Sequence, residues 1–187
     1  MLTFNVNQHT ITVEDAMSKA QDVSKVDAKY IDTTEYELSS LQLVNLYEND
    51  KLLKSVLLGS IGGGTGVSNN TAMLDIDRLV TCCSDTVFCL SVSGLDLLWK
   101  TKADDATCFA VYQYQQDYIV HGELEISRLD RQGNIIWSVS GADIFVTLKG
   151  DSDIVLLEDR IIAIDFENSK YEFDYDGNTL SYTKANV

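Results

Sequence analysis

The residues of this chain best suited to chemistry are carboxylates in close pairs: Asp75/Asp77, Asp104/Asp105, Glu123/Glu125, Asp151/Asp153 and Asp174/Asp176. Alternate carboxylates on one strand face can share a cation, or serve as the acid and nucleophile of a glycosidase. Their surroundings argue for a plainer role. None reproduces a calcium loop of the D-x-D-x-D-G type. Asp151 and Asp153 follow Gly150 in a turn, and Asp174 and Asp176 precede a hairpin, where aspartate commonly opens turns. His121, in His121-Gly122-Glu123, would reach Glu123 or Glu125 for proton transfer only through a bulge at Gly122, so a structural histidine is expected.

The glycine-rich stretch Gly59-Ser60-Ile61-Gly62-Gly63-Gly64-Thr65-Gly66 invites a phosphate-loop reading. Thr65 and Gly66 stand where Lys and then Ser or Thr are required, which makes a mobile surface loop the expectation. Cys82, Cys83, Cys89 and Cys108 form no C-x-x-C pair and have only His9 and His121 to complement them, so no zinc site is expected. Cys82 and Cys83 are adjacent on one strand and point oppositely, so at most one should face the core. No G-x-S-x-G elbow is present. No catalytic, cofactor-binding or metal-ligating residue is assigned. Trp99, Trp137 and the tyrosines 112, 114, 118, 171, 175 and 182 could line a sugar-binding or peptide-binding surface, but the tryptophans' place in a repeat assigns them to the core first.

The elements that would position these groups are strands. Phe4 to Val13 reads as a short hairpin, and Glu14 to Lys29 as a helix with a thin apolar stripe of Ala16, Ala20 and Val23, laid against a sheet edge. From Tyr36 onward the pattern is β. Leu41 to Tyr47 with Lys51 to Leu58 forms a hairpin. Arg78 to Cys83, Thr86 to Val92 and Leu97 to Lys100 form a meander. Phe109 to Tyr114, Tyr118 to His121, Leu124 to Asp130 and Ile135 to Val139 form the next. Ile154 to Leu157, Arg160 to Glu167, Lys170 to Tyr175 and Thr179 to Tyr182 form the last. In that last meander Ile162, Ile164 and Phe166 share one face, while Tyr171, Phe173 and Tyr175 alternate with Lys170, Glu172 and Asp174. Turns at Asn49-Asp50, Gly94, Gly133 and Gly177 recur with a period of roughly 40 residues, as in propeller blades.

At Leu129-Asp130-Arg131-Gln132-Gly133-Asn134-Ile135-Ile136-Trp137 the chain resembles the repeat of quinoprotein-type and tryptophan-aspartate-type β-propellers. Gly94 to Trp99 is a looser copy, and Gly177 is followed by Leu180 and Tyr182 without a tryptophan. The resemblance spans residues 41 to 182 and implies stacked four-stranded meanders with tryptophan wedges between them. No cofactor-binding residue of those families has a counterpart here. The expected fold is therefore mainly β. Repeated antiparallel β-meanders form a partial or small propeller-like array, with a short N-terminal hairpin and helix. Residues 1–187 make one domain, in which 1–40 pack on the sheet and 41–187 carry the repeats.

Composition bounds the function. A chain of 187 residues with 45% apolar content can bury a core. It lacks both the roughly 20 consecutive apolar residues of a membrane span and a basic-then-apolar N-terminus, so a cytoplasmic protein is expected. There are 29 acidic and 14 basic side chains, a net charge of −15, dispersed along the chain. Such a surface repels nucleic acid and anionic membranes and attracts basic proteins. The leading expectation is a non-enzymatic protein-interaction domain. Its sharpest form resembles bacterial immunity proteins that neutralise basic toxins, with Asp104, Asp105, Glu123, Glu125, Asp151 and Asp153 as partner contacts. The alternative is a carbohydrate- or small-molecule-binding module, hydrolytic in its strongest form. A third is a homodimer in which two copies complete a ring.

Overall fold

The computed structural model describes residues 1–17, 25–31, 37–147 and 153–185. Within them the first sheet contains β1 (Leu2–Val6), β2 (His9–Asp15), β3 (Ala28–Ile31), β4 (Ser40–Glu48) and β5 (Lys51–Ser60). The second contains β6 (Ala72–Asp75), β7 (Arg78–Cys83), β8 (Thr86–Ser91) and β9 (Leu97–Lys102). In the third are β10 (Cys108–Tyr114), β11 (Asp117–Gly122), β12 (Glu125–Leu129) and β13 (Ile135–Ser140). The fourth holds β14 (Ile154–Leu156), β15 (Ile161–Ile164), β16 (Lys170–Phe173) and β17 (Thr179–Thr183). Sheets two to four are up-and-down meanders in chain order, whereas the first runs β1-β2-β4-β5-β3. The N-terminal hairpin is hydrogen-bonded into this first blade through β2 and β4, from His9↔Glu48 to Asp15↔Gln42. Strand β3 adds outside β5, in parallel.

The helix expected over Glu14 to Lys29 is corrected at both ends, and residues 18–24 between them lie outside the described residues. Glu14 and Asp15 continue β2 because Ile11 and Val13 alternate into a core and their strand finds β4 as partner. Ala28 and Tyr30 pack toward the same core from β3, a period of two that a helix could not supply. No α-helix occurs among the described residues.

Three apolar clusters join the four blades in sequence. Ile11, Val44, Leu46, Val56 and Leu58 of blade one meet Leu79, Phe88 and Leu90 of blade two. On the opposite face of blade two, Val80, Cys82, Val87 and Cys89 meet Val111, Tyr118, Val120 and Leu129 of blade three. Ile119 and Ile126 of blade three then meet Ile154, Ile161, Ala163, Tyr171 and Phe173 of blade four, with Phe145 between. Blade two is thus buried on both faces, and β8 is fully buried from Thr86 to Leu90. This corrects the reading of the cysteine pair. Cys82 and Cys83 do point oppositely, but each enters a core, because a sheet covered on both faces has two. In blade four Ile161 and Ala163 are the buried pair, while Ile162 and Ile164 look outward with Phe166, which is 43% exposed.

A single local device repeats along the outer strands. Each pairing of third and fourth strand carries a register shift, and beside it stand Leu46↔Lys54, Cys89↔Trp99, Arg128↔Trp137 and Glu172↔Ser181. The second residue of each pair is therefore structurally equivalent. Trp99 reaches the turn of blade three, where its Nε1 donates to the Arg131 carbonyl at 3.0 Å. Trp137 does the same to Tyr175 of blade four at 3.0 Å. The rings lie on glycine: a Cβ on Gly133 would stand 2.6 Å from Trp99, and one on Gly177 2.8 Å from Trp137. Both glycines have φ near +85°. Asp130 and Asp174 build the two turns alike. Asp130 Oδ1 accepts the Gln132 and Asn134 N–H groups, as Asp174 Oδ1 accepts those of Asp176 and Asn178. In blade one the wedge is Lys54, paired with Asp96 of the blade-two turn at 2.7 Å. Tyr30 of β3 supports that junction, its hydroxyl bonded to the Leu95 carbonyl and Leu97 N–H at 3.3 Å. In blade four the position is Ser181, and Lys170 and Glu172 replace the apolar Val87 and Cys89 of blade two. Arg160, Glu172 and Lys170 form an ion-pair chain on this face.

Gly133→Ala should lower stability by about 2–4 kcal/mol, because it adds left-handed backbone strain to a collision with an indole ring. Gly66→Ala, where nothing lies within 4 Å, should change little. Urea unfolding of both variants checks the pair; equal midpoints would contradict the wedge.

Candidate functional site

The connections fall at two ends of the blades. Short turns at Asn7, Asn49-Asp50, Ile76-Asp77 and Gly133 form one end, and the inter-blade loops with the turns at Ser84-Asp85, Glu123-Leu124 and Phe166-Glu167 form the other. At this loop end the backbone makes a continuous band. Gly63 N–H donates to Ala106, Glu123 to Thr107, Phe145 to Glu123 and Phe166 to Ile144, at 2.6–2.8 Å. The glycine-rich segment is part of this band. A Cβ on Gly62 or Gly63 would collide with Ala106 or Thr107, so these glycines permit close backbone approach and the segment is anchored.

Buried carboxylates tie the band together. Asp104, 3% exposed, accepts four backbone N–H groups: Ala106 and Thr107 on Oδ1, Leu124 and Glu125 on Oδ2. Asp85 accepts the Ser60 and Thr86 hydroxyls, and Asp165 accepts Ser169 N–H and the Tyr171 hydroxyl. His121 is buried, and its Nε2 lies 2.9 Å from the Phe145 carbonyl, which makes Nε2–H the donor; no carboxylate bonds to the ring among the described residues. Burial depresses its pKa, with the Phe145 bond only partly offsetting. All four cysteine thiols are buried, and desolvation pushes them upward, Cys83 and Cys89 to about 12, which leaves them protonated and unreactive at neutral pH.

The sequence-derived contact residues converge on this end, in unequal states. Asp104 is corrected from a surface contact to an internal tie, because four amide donors satisfy it away from solvent. Asp105 projects into solvent, with Lys102 at 3.0 Å. Glu123 and Glu125 are half-buried, and their carboxylates form no ion pair among the described residues. Asp153 is half-buried and accepts the Thr147 N–H at 2.8 Å. Asp151 lies outside the described residues. Asp143 and Glu167 belong to the same end, whereas all four arginines lie toward the opposite one. Between the acids protrude Ile61, Leu124 and Phe166, each 37–43% exposed. Leu124 and Phe166 were not legible as tips in the sequence, where each reads as one more strand residue, whereas Ile61 falls in the stretch read as a surface loop.

The turn end carries a groove of about 490 Å³ between blades one and two, lined by Val6, His9, Ile76, Arg78, Val92 and Leu98 among others. Among the described residues no Phe, Tyr or Trp lines it, so it lacks the stacking platform a sugar site would use. The aromatics are mostly consumed elsewhere. Tyr114 stacks on Tyr175 at 3.7 Å and Trp99 packs on Tyr118, both across blade boundaries. At the groove mouth Ile76 is 78% exposed with φ of +54°. Asn7, Asn49, Ser84 and Gln115 occupy the comparable left-handed turn positions. A β-branched residue there is strained by about 1–3 kcal/mol.

Comparison with known proteins bears on the fold. No family model and no curated protein sequence matches the chain. Among solved structures it is similar to BamB from Moraxella catarrhalis, with a TM-score of 0.56 and 15% identity over all of this chain. The fold is propeller-like. The chain spans 62% of the length of that BamB chain, and at this identity the likeness concerns architecture alone.

Asp104→Asn should destabilise by about 2–4 kcal/mol, since an amide cannot accept on both sides as the carboxylate does. His121 gives a pH signature. Its folded pKa is lowered from 6.5, so the unfolded chain takes up the proton first as pH falls. The stability it contributes is complete above about pH 6.5 and is lost as pH falls toward the folded value. The urea midpoint should drop between pH 7 and 5, and His121→Gln should flatten that drop. An equal slope in the variant would assign the effect elsewhere.

Proposed function

We propose that this chain is a non-enzymatic protein-interaction scaffold whose acidic loop end binds a basic protein. The observation that carries the reading is the setting of Leu124 and Phe166, two exposed apolar tips on a hydrogen-bonded band, among the carboxylates of Asp105, Glu123, Glu125, Asp143 and Glu167. Charge steers the encounter, and burial of the apolar tips supplies the residence time. Holding the tips on a band fixed by Asp104 lowers the ordering cost of association. Size and charge favour the inhibitor form, in which the bound face occludes the partner's own basic site.

Immobilised protein should retain a basic protein from lysate of the source cells at 50 mM salt, and lose at least tenfold in affinity for it by 200 mM. Phe166→Ser and Leu124→Ser should each weaken that binding by about 1–3 kcal/mol, while Glu123→Lys should slow association. A retained protein that binds both serine variants as tightly as the unaltered chain would overturn this face as the site.

A further inference from the structure

The outer edges of the four blades are finished differently, and that of blade three is left open. One residue past the wedge position, Ser55, Lys100, Ser138 and Tyr182 are equivalent; three past it, so are Leu57, Lys102, Ser140 and Lys184. In blade one the Ser55 carbonyl and N–H are taken by the Asp27 N–H and carboxylate, each at 2.8 Å, and Leu57 pairs with Lys29 of β3. Blade two places lysine at both positions, a residue that natural sheets use to blunt an edge. In blade four Tyr182 packs on Tyr171, their ring centroids 4.9 Å apart, and Lys184 follows. Blade three has two exposed serines there.

Those serines turn their backbone outward. The Asp130 N–H bonds across to the Asn134 carbonyl, so the alternation of an antiparallel ladder makes Arg128 and Ile126 the residues that bond β13, through Trp137 and Val139. The N–H and C=O groups of Ser138 and Ser140 then point away from β12, as those of Ser55 point away from β4. Strand β13 ends its sheet, and no further segment bonds its backbone among the described residues. Blade one shows what fits such an edge. Its occupant β3 runs parallel to β5, turns Ala28 and Tyr30 to the core between blades, and sends the Tyr30 hydroxyl to the Leu95 carbonyl of the next turn. At the next junction the Thr101 hydroxyl serves the equivalent Gly133 carbonyl at 2.6 Å. At the third, Val139 replaces that threonine, and the Gly177 carbonyl accepts no hydrogen bond among the described residues.

We propose that the free edge of β13 binds an extended segment of a partner protein, added as a fifth strand parallel to β13, bonded to the Ser138 and Ser140 backbone and carrying a tyrosine whose hydroxyl reaches the Gly177 carbonyl. Main-chain pairing supplies the affinity and the tyrosine the register. The net charge of −15 favours a segment with lysine or arginine and opposes a second copy, whose two-fold contact would moreover pair the two edges antiparallel. The site stands on backbone groups and is independent of the apolar tips at the loop end.

The test selects a phage-displayed random heptapeptide library on the intact protein and titrates a fluorescent synthetic copy of the enriched sequence. The expected result is enrichment of neutral or basic peptides that share a tyrosine. Bound peptide should slow exchange of the Ser138 and Ser140 amide protons by about tenfold or more, as strand pairing does. Affinity should fall by about tenfold or more in Ser138→Pro, which removes an outward N–H, and in Ser140→Lys, which copies Lys102 of blade two. It should stay unchanged in Phe166→Ser. Ser140→Lys should keep the melting temperature of the unaltered protein, which separates lost binding from lost folding. Failure to enrich any sequence over an unrelated protein, binding indifferent to both edge variants, or unprotected Ser138 and Ser140 amides would overturn the site. A peptide that binds equally well with phenylalanine for its tyrosine would overturn the Gly177 contact. Sedimentation showing a dimer that Ser140→Lys splits would assign the edge to a second copy and overturn the peptide reading.

Discussion

The contact on which the array depends is an indole laid flat on a glycine turn of the next blade. Four-stranded meanders have two apolar faces and would slide over one another if area burial alone held them, because the hydrophobic effect has no direction. The wedge supplies direction. Trp99 and Trp137 each combine a ring against Gly133 or Gly177 with one Nε1 bond to a defined carbonyl, which fixes both the distance and the rotation between neighbours. Thr101 reinforces one junction through the Gly133 carbonyl at 2.6 Å. Where blade one lacks the indole, Lys54 and the added strand β3 with Tyr30 perform the same orientation by charge and hydroxyl.

With the turn end committed to joining blades, the loop end is held by other means. Buried aspartates act there as local hubs: Asp104 and Asp85 each take donors from two segments, and Asp165 closes its own turn. The Asp104 carboxylate is satisfied by four amide donors, two from each of two segments. The acidity of the chain is thus divided. Part of it is structural and hidden, and part lies on the loop end that also carries the exposed Leu124 and Phe166.

The sequence makes the meanders legible because their signals are short-range: turn residues, alternation, and a tryptophan shortly after a turn glycine. The D-x-x-G-N turns of Asp130 and Asp174 belong to this class. Lys54 and Ser181 escape it, since their equivalence to the tryptophans is set by a register shift in each sheet and not by similarity of type. Strand β6 is missed because its four residues follow a run of Gly, Ser and Asn, and β3 because its four residues end a segment with helix-like composition. Whether a surface-type residue is buried depends on how loops from different blades meet. Asp104 therefore reads as a surface acid, and Leu124 and Phe166 read as ordinary strand residues. The strained position of Ile76 is invisible for the opposite reason, since turn preferences call for Asn or Gly there.

The wedge also gives the molecule a head and a tail. A directional contact repeated without closure is the recipe for a filament, in which the leading face of each copy docks on the trailing face of the next. Two of the junctions here are indole on glycine, but the fourth blade carries Ser181 at the equivalent position, together with the ion-paired row of Arg160, Glu172 and Lys170. To bury that row, another face would have to desolvate three charges and gain no ring contact in return. Substituting one aromatic would not be enough to start head-to-tail growth, because the salt-bridged row would still have to be removed.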